Sequence, residues 1–245
     1  MAVLAAPARR RASDATSRNG WLLILNGAAA LLVLATLVAA LALTPPERVE
    51  GNVFRIFYVH VPLAWLMYVA FFVVFAASAL YLWKRSDTWD RVARVSAEVG
   101  LLFTTLVLIS GSIWGRPVWG VWWTWDARLT TTLVLWFIYL AYLLLRAYAQ
   151  EGGQAPRYAA VLGIIGFVDV PIVQFSVTWW RTLHPQSTVL ESGHLSGSML
   201  ATLFLSLIAF TVFGLAIFLQ RFRLETLRDH ARALRQQLDD EEGFA

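Results

Sequence analysis

The sequence predicts an all-α integral membrane protein with six transmembrane helices, both termini cytoplasmic, and a Trp-rich outer loop between helices three and four. Three observations carry that reading. Of 245 residues 58% are hydrophobic and 15% charged, far more apolar than a soluble domain. Six stretches approach or exceed the roughly 18 apolar residues needed to cross a hydrocarbon core about 30 Å thick. The basic residues fall unequally between the two ends of those stretches.

Trp21 to Leu43 follows a basic lead and ends in the small-residue pattern Ala40-Leu41-Ala42. It imitates a signal peptide, but its apolar run exceeds the usual core of about 7–15 residues, so a retained anchor is expected. Val61 to Trp83 opens on Pro62, a residue suited to a first helical turn, which places His60 at or just before the helix start. Val95 to Ile113 carries Glu98 near its start, and Leu129 to Leu145 is short but preceded by Asp126 as N-cap candidate. Tyr158 to Trp180 contains Asp169 and Pro171; an acid at membrane depth marks a proton route or a polar helix contact, the latter favoured where Pro171 frees backbone groups. Leu195 to Leu219 is followed by alternating Arg and Asp/Glu, so the helix continues into solvent.

Arg9, Arg10, Arg11, Arg18, Lys84, Arg85, Arg91, Arg94, Arg146, Arg157, Arg221, Arg223, Arg228, Arg232 and Arg235 share one face. Arg48, Arg55, Arg116, Arg128 and Arg181 are left for the other. The richer face is cytoplasmic. The chain is therefore a single membrane domain over 1–245, with a cytoplasmic lead at 1–20, an outer Trp-rich loop at 114–128 and a cytoplasmic tail at 220–245. The net charge of +4 is a topology signal and forms no stripe for nucleic acid. With no Cys, disulfides, thiolate metal sites and covalent heme attachment to this chain are excluded. No internal repeat suggests a transporter built from matched halves.

Five of twelve Trp (Trp114, Trp119, Trp122, Trp123 and Trp125) crowd one outer segment that closes on Asp126 and Arg128. Such aromatic surface belongs at a membrane boundary or against a large flat ligand. The spacing of Trp119, Trp122 and Trp125 would form one interfacial face of a short helix, which suits both readings. Two further outer segments bring His60 and, after Trp179-Trp180, His184 to the same face. A neutral imidazole ligates iron, and a porphyrin leaves two axial positions for protein. Trp rings cover such a disc, and Arg55 and Arg128 are candidates for its carboxylates. The plainer readings are an aromatic belt, a solvated or hydrogen-bonded His, and Asp126 as a helix cap alone. His194 and His230 keep the plainer reading.

The string WGRPVWGVWWTWDARLT, from Trp114 to Thr130, resembles the Trp-rich signature of heme-handling membrane proteins of cytochrome c maturation. From Arg55 to Thr188 the chain is similar to the heme exporter protein C family, which has outer-loop motifs where Arg55 to Pro62 and Pro171 to His184 stand. The resemblance implies heme b held non-covalently at the outer face of the bacterial inner membrane, with His60 and His184 on the iron. Trp114, Trp119, Trp122, Trp123, Trp125 and Asp126 would form the platform. It implies heme trafficking rather than catalysis. The implied partners are a membrane-anchored heme chaperone, the subunits of an ABC transporter and a small membrane subunit. The larger heme lyases share the Trp-rich loop but have more spans and more His.

Rival readings are a small-molecule permease with an aromatic cage for an organic cation, a redox enzyme, and a structural subunit. The first needs a wet path through the spans and the second further intramembrane ligands. The third leaves the His pair unexplained.

Overall fold

The computed structural model describes residues 20–148, 154–184 and 195–243. They form six membrane-spanning-length helical passes and, among the described residues, no strand. The first pass is α1 (Gly20–Val38), which loosens into a π turn at Ala39–Leu43 before Pro45 and Pro46 stop it. A 3-10 turn (Asn52–Ile56) leads into α2 (Phe57–Lys84), which is followed by α3 (Asp87–Trp119) and α4 (Ala127–Tyr148). The fifth pass is split into α5 (Ala155–Phe167) and α6 (Asp169–Trp179), and α7 (Gly197–Gly243) completes the bundle. The Arg-rich lead and His194 lie outside the described residues.

The spans agree with the apolar runs, and the helices overrun them into the charged flanks. The largest difference is in the third pass, where the helix persists through Gly115 and Pro117 to Trp119. Trp114 to Trp119 are thus the last turns of α3, and only 120–126 is loop. Gly120, with φ +78°, adopts the left-handed C-cap and donates its N–H to Arg116 O at 3.1 Å. The short helix that would have aligned Trp119, Trp122 and Trp125 does not form. The second difference is the break at Val168: Pro171 has no N–H for the Phe167 carbonyl, and Val168 N–H bonds Ile165 O at 3.0 Å in a tighter turn. Asp169 opens α6, buried, with its Oδ2 unpartnered.

α2 and α3 form the central hairpin, α4 to α6 pack on one side of it, and α7 packs on the other. α1 lies outermost and packs chiefly on α7. Phe71 and Tyr139 stack at the centre, ring centroids 3.8 Å apart, among Met67, Val74, Phe103, Leu135 and Val173. Gly100 lets α3 approach: a Cβ there would lie 2.6 Å from Phe71 Cε1. The stacked ring has no room to retreat, so Gly100→Ala is expected to destabilise the bundle by about 1–3 kcal/mol. Thermal unfolding in detergent measures this, and an unchanged midpoint would contradict the packing.

Ion pairs close one end. Arg146 binds Asp90, Arg221 binds Glu98, and Arg94 reaches buried Glu225 at 2.6 Å, while Arg91 holds Asp229 at 2.7 Å. Glu98 thus has its partner on α7. The aromatic cluster lies at the opposite end.

Candidate heme site at the aromatic end

His60 is buried and sits inside α2, one turn from its start, rather than before the helix. The helix tolerates Pro62 because the Tyr58 carbonyl, deprived of its N–H donor, accepts a hydrogen bond from Ser206 Oγ on α7. The imidazole faces α3, where its Nδ1 is 2.9 Å from Ser110 Oγ and its edge packs over Gly111. Trp114, one turn further along α3, meets the His60 ring at a centroid distance of 5.7 Å and an interplanar angle of 75°. Its indole N–H donates to Glu50 Oε2 at 2.8 Å, and Phe54 and Phe57 close the other side. Glu50 is itself fixed, its backbone N–H bonding the Glu47 carboxylate at 2.7 Å.

A second group lies further toward the loop. Trp119 folds back over Gly115, and its ring centroid is 6.4 Å from that of His184. Arg128 approaches His184 Nδ1 through Nη1 at 3.3 Å and donates from Nη2 to Gln174 O at 3.2 Å. Asp126 joins the loops: Oδ1 accepts from Leu129 N at 3.0 Å, capping α4, and Oδ2 accepts from Thr182 Oγ1 at 2.7 Å. Thr182 Oγ1 in turn accepts His184 N–H at 3.1 Å. Asp126 is both the expected helix cap and the clasp that positions the His184 segment.

The predicted residues therefore fall in two groups, His60 with Trp114, and His184 with Trp119 and Arg128, with Asp126 tied to the second through Thr182. Trp123 and Trp125 pack edge to face at 5.7 Å, whereas Trp122 and Trp125 are exposed at 60% and 75%. Arg55 stands in the 3-10 turn with its Nε buried and unpartnered, whereas Arg128 already uses two donors on protein acceptors. An apolar groove of about 470 Å³ between α3 and α4, lined by Leu108, Ile113, Trp123 and Leu133, includes neither His. Ser110, Glu50, Gly111 and Thr182 complete the site, and nothing local in the sequence distinguishes them.

The donor set fits a heme: imidazoles for iron, indole faces for the ring, and guanidinium groups for carboxylates. Because the porphyrin supplies four ligands, a cluster of three protein ligands is not required. Asp126→Ala should cost about 1 kcal/mol through the lost cap and also release Thr182. The expected outcome is a folded protein whose Thr182–His184 backbone exchanges its amide hydrogens faster than in the wild type. Unchanged exchange in that variant would contradict the clasp.

The heme exporter protein C family model matches residues 3–237. Heme exporter protein C of Bradyrhizobium diazoefficiens is 39% identical over 209 residues, covering 84% of this chain and 80% of the relative. Heme exporter protein C of Haemophilus influenzae is 38% identical over 200 residues, covering 80% of each chain. A putative cytochrome c biosynthesis ccmC-like mitochondrial protein of Arabidopsis thaliana is 32% identical over 222 residues, covering 90% and 84%. With matches of this extent joined to a six-pass helical membrane fold, the chain belongs to the heme exporter protein C family.

Proposed function

We propose that this protein traffics heme for c-type cytochrome assembly, binding heme b at the outer face of the bacterial inner membrane and passing it to a membrane-anchored heme chaperone. The observation that carries this reading is the placement of His60 against Trp114 and of His184 against Trp119 and Arg128, from separate segments, at the two ends of the Trp-rich turns of α3. Its relatives are named for heme export and cytochrome c biosynthesis. A trafficking role also fits a site built of imidazoles and aromatic faces. ABC transporter subunits and a small membrane subunit are the proposed assembly partners.

In this reading His60 and His184 hold the iron, the loop Trp residues cover the ring, and Arg55 meets a propionate at the rim. The exposed faces of Trp122 and Trp125 are available for the ring or for the receiving chaperone. The fifteen-to-five split of basic residues supports a cytoplasmic position for the ion-paired end. Since the chain has no Cys, a single Val121→Cys in the exposed loop gives a clean label site. It should react with a membrane-impermeant maleimide from outside.

Complementation tests the function. In a strain lacking its own heme exporter protein C, the wild-type chain should restore covalent c-type cytochromes, and the His60→Gly, His184→Gly double variant should not. Equal restoration by both overturns the reading.

A further inference from the structure

Both imidazoles present Nδ1 to their protein partners, but in opposite roles, as donor in His60 and as acceptor in His184. Ser110 Oγ donates its one proton to backbone carbonyls on its own helix, to Leu106 O at 2.7 Å with Val107 O at 3.3 Å. Toward His60 the oxygen is then an acceptor, so the 2.9 Å contact requires the hydrogen on His60 Nδ1. Nε2 is left with its lone pair, the form that ligates iron. Gly111 holds the ring in this pose: a Cβ there would lie 3.1 Å from Cε1 and 3.8 Å from Nδ1.

His184 is held the other way. A guanidinium has only N–H groups, so in its 3.3 Å contact with Arg128 the Nδ1 of His184 is the acceptor, and a neutral ring carries its hydrogen on Nε2. That nitrogen has no lone pair for iron. Arg128 is anchored by Gln174 O, and the His184 backbone is anchored by Thr182 and Asp126. The contact is at the long end for a hydrogen bond, so it is readily exchanged.

We propose that heme ligation is ordered: His60, prepared by Ser110, takes iron first through Nε2, while Arg128 holds His184 off the iron until it leaves Nδ1. On that departure the ring changes tautomer, one proton leaving Nε2 to water as another arrives at Nδ1, with no change in net charge. The reverse exchange frees the iron on the His184 side first and gives the protein a release step. Ser110 is thus a positioning residue for His60, and Arg128 a competitor of iron for His184. This deepens the reading of the two His as axial ligands and rests on it.

Second-sphere hydrogen bonds of this kind typically alter metal affinity about 10–100-fold. Ser110→Ala should weaken heme binding by that factor and raise the heme reduction potential, because the Nδ1–H bond makes the ligand more basic. Ser110→Thr should restore both. His184→Gly should retain five-coordinate heme on His60, whereas His60→Gly should retain far less.

The deciding experiment is nitrogen-15 NMR of the imidazole rings in the heme-free, full-length protein in detergent, with resonances assigned through His60→Gly and His184→Gly. The expected result is hydrogen on Nδ1 of His60 and on Nε2 of His184. Ser110→Ala should leave His60 a mixture of tautomers, and Ser110→Thr should recover one. Matching tautomers at the two positions, or a His60 spectrum indifferent to Ser110→Ala, overturns the order. Because these spectra need no heme, they fail independently of the axial-ligand reading, which a missing Soret band on adding heme to wild type would remove.

Discussion

His60→Gly is expected to abolish stable heme retention in the purified protein, and added imidazole is expected to restore part of it by filling the opened space. The cavity is defined: the lost ring leaves a slot between Gly111, Ser110 and Trp114, with Ser110 Oγ still in place to accept an imidazole N–H. A free imidazole in that slot reproduces both the ligand and its hydrogen bond. Heme occupancy per protein, read from the Soret absorbance, reports the result. Unchanged occupancy and a six-coordinate spectrum in His60→Gly would remove this residue from the iron.

Truncating the aromatic platform should have the next largest effect. One indole face stacked on a porphyrin buries on the order of 100 Å², worth about 2.5 kcal/mol at ~25 cal/mol per Å². That converts to roughly 70-fold in affinity. Trp119→Ala and Trp125→Ala should each approach that loss. Arg55→Gln removes a rim charge worth about 0–1 kcal/mol, fivefold at most. Heme titration of the three variants sets the order. A larger loss in Arg55→Gln, with folding intact, would mean that charge governs binding and that the exposed Trp residues are a membrane belt.

The fold was legible in the sequence wherever the determining property is local. Lipid imposes hydrophobicity residue by residue, so α1, α2 and α4 lie close to their apolar runs, and α3 and α7 extend beyond theirs into charged flanks. The Asp126 cap was legible for the same reason, since its acceptor and donor are three residues apart. Trp114 to Trp119 misled because Gly115 and Pro117 are helix breakers in water. In the structure Gly115 instead admits the Trp119 ring, and the left-handed turn waits for Gly120. The break at Val168 was signalled by Pro171 without its consequence, a fifth pass in two pieces.

At the site, the residue types of the His pair and the Trp segment pointed to their shared chemistry. Their supports did not. Ser110 is fifty positions from His60, Ser206 lies 148 from Tyr58, and Thr182 lies 56 from Asp126. Each is an ordinary small polar residue in a helix or loop until the bundle assembles. Arg128 shows the same limit: its charge suggested a propionate, and only the fold shows its guanidinium against His184.

The absorption spectrum of the wild-type protein, purified in mild detergent and supplied with heme, tests the central claim most directly. Two axial imidazoles predict a Soret band and visible bands of a six-coordinate, low-spin heme, with the low-spin signature lost in the His60→Gly, His184→Gly double variant. No Soret band in the wild type, or the same low-spin spectrum in the double variant, would contradict it.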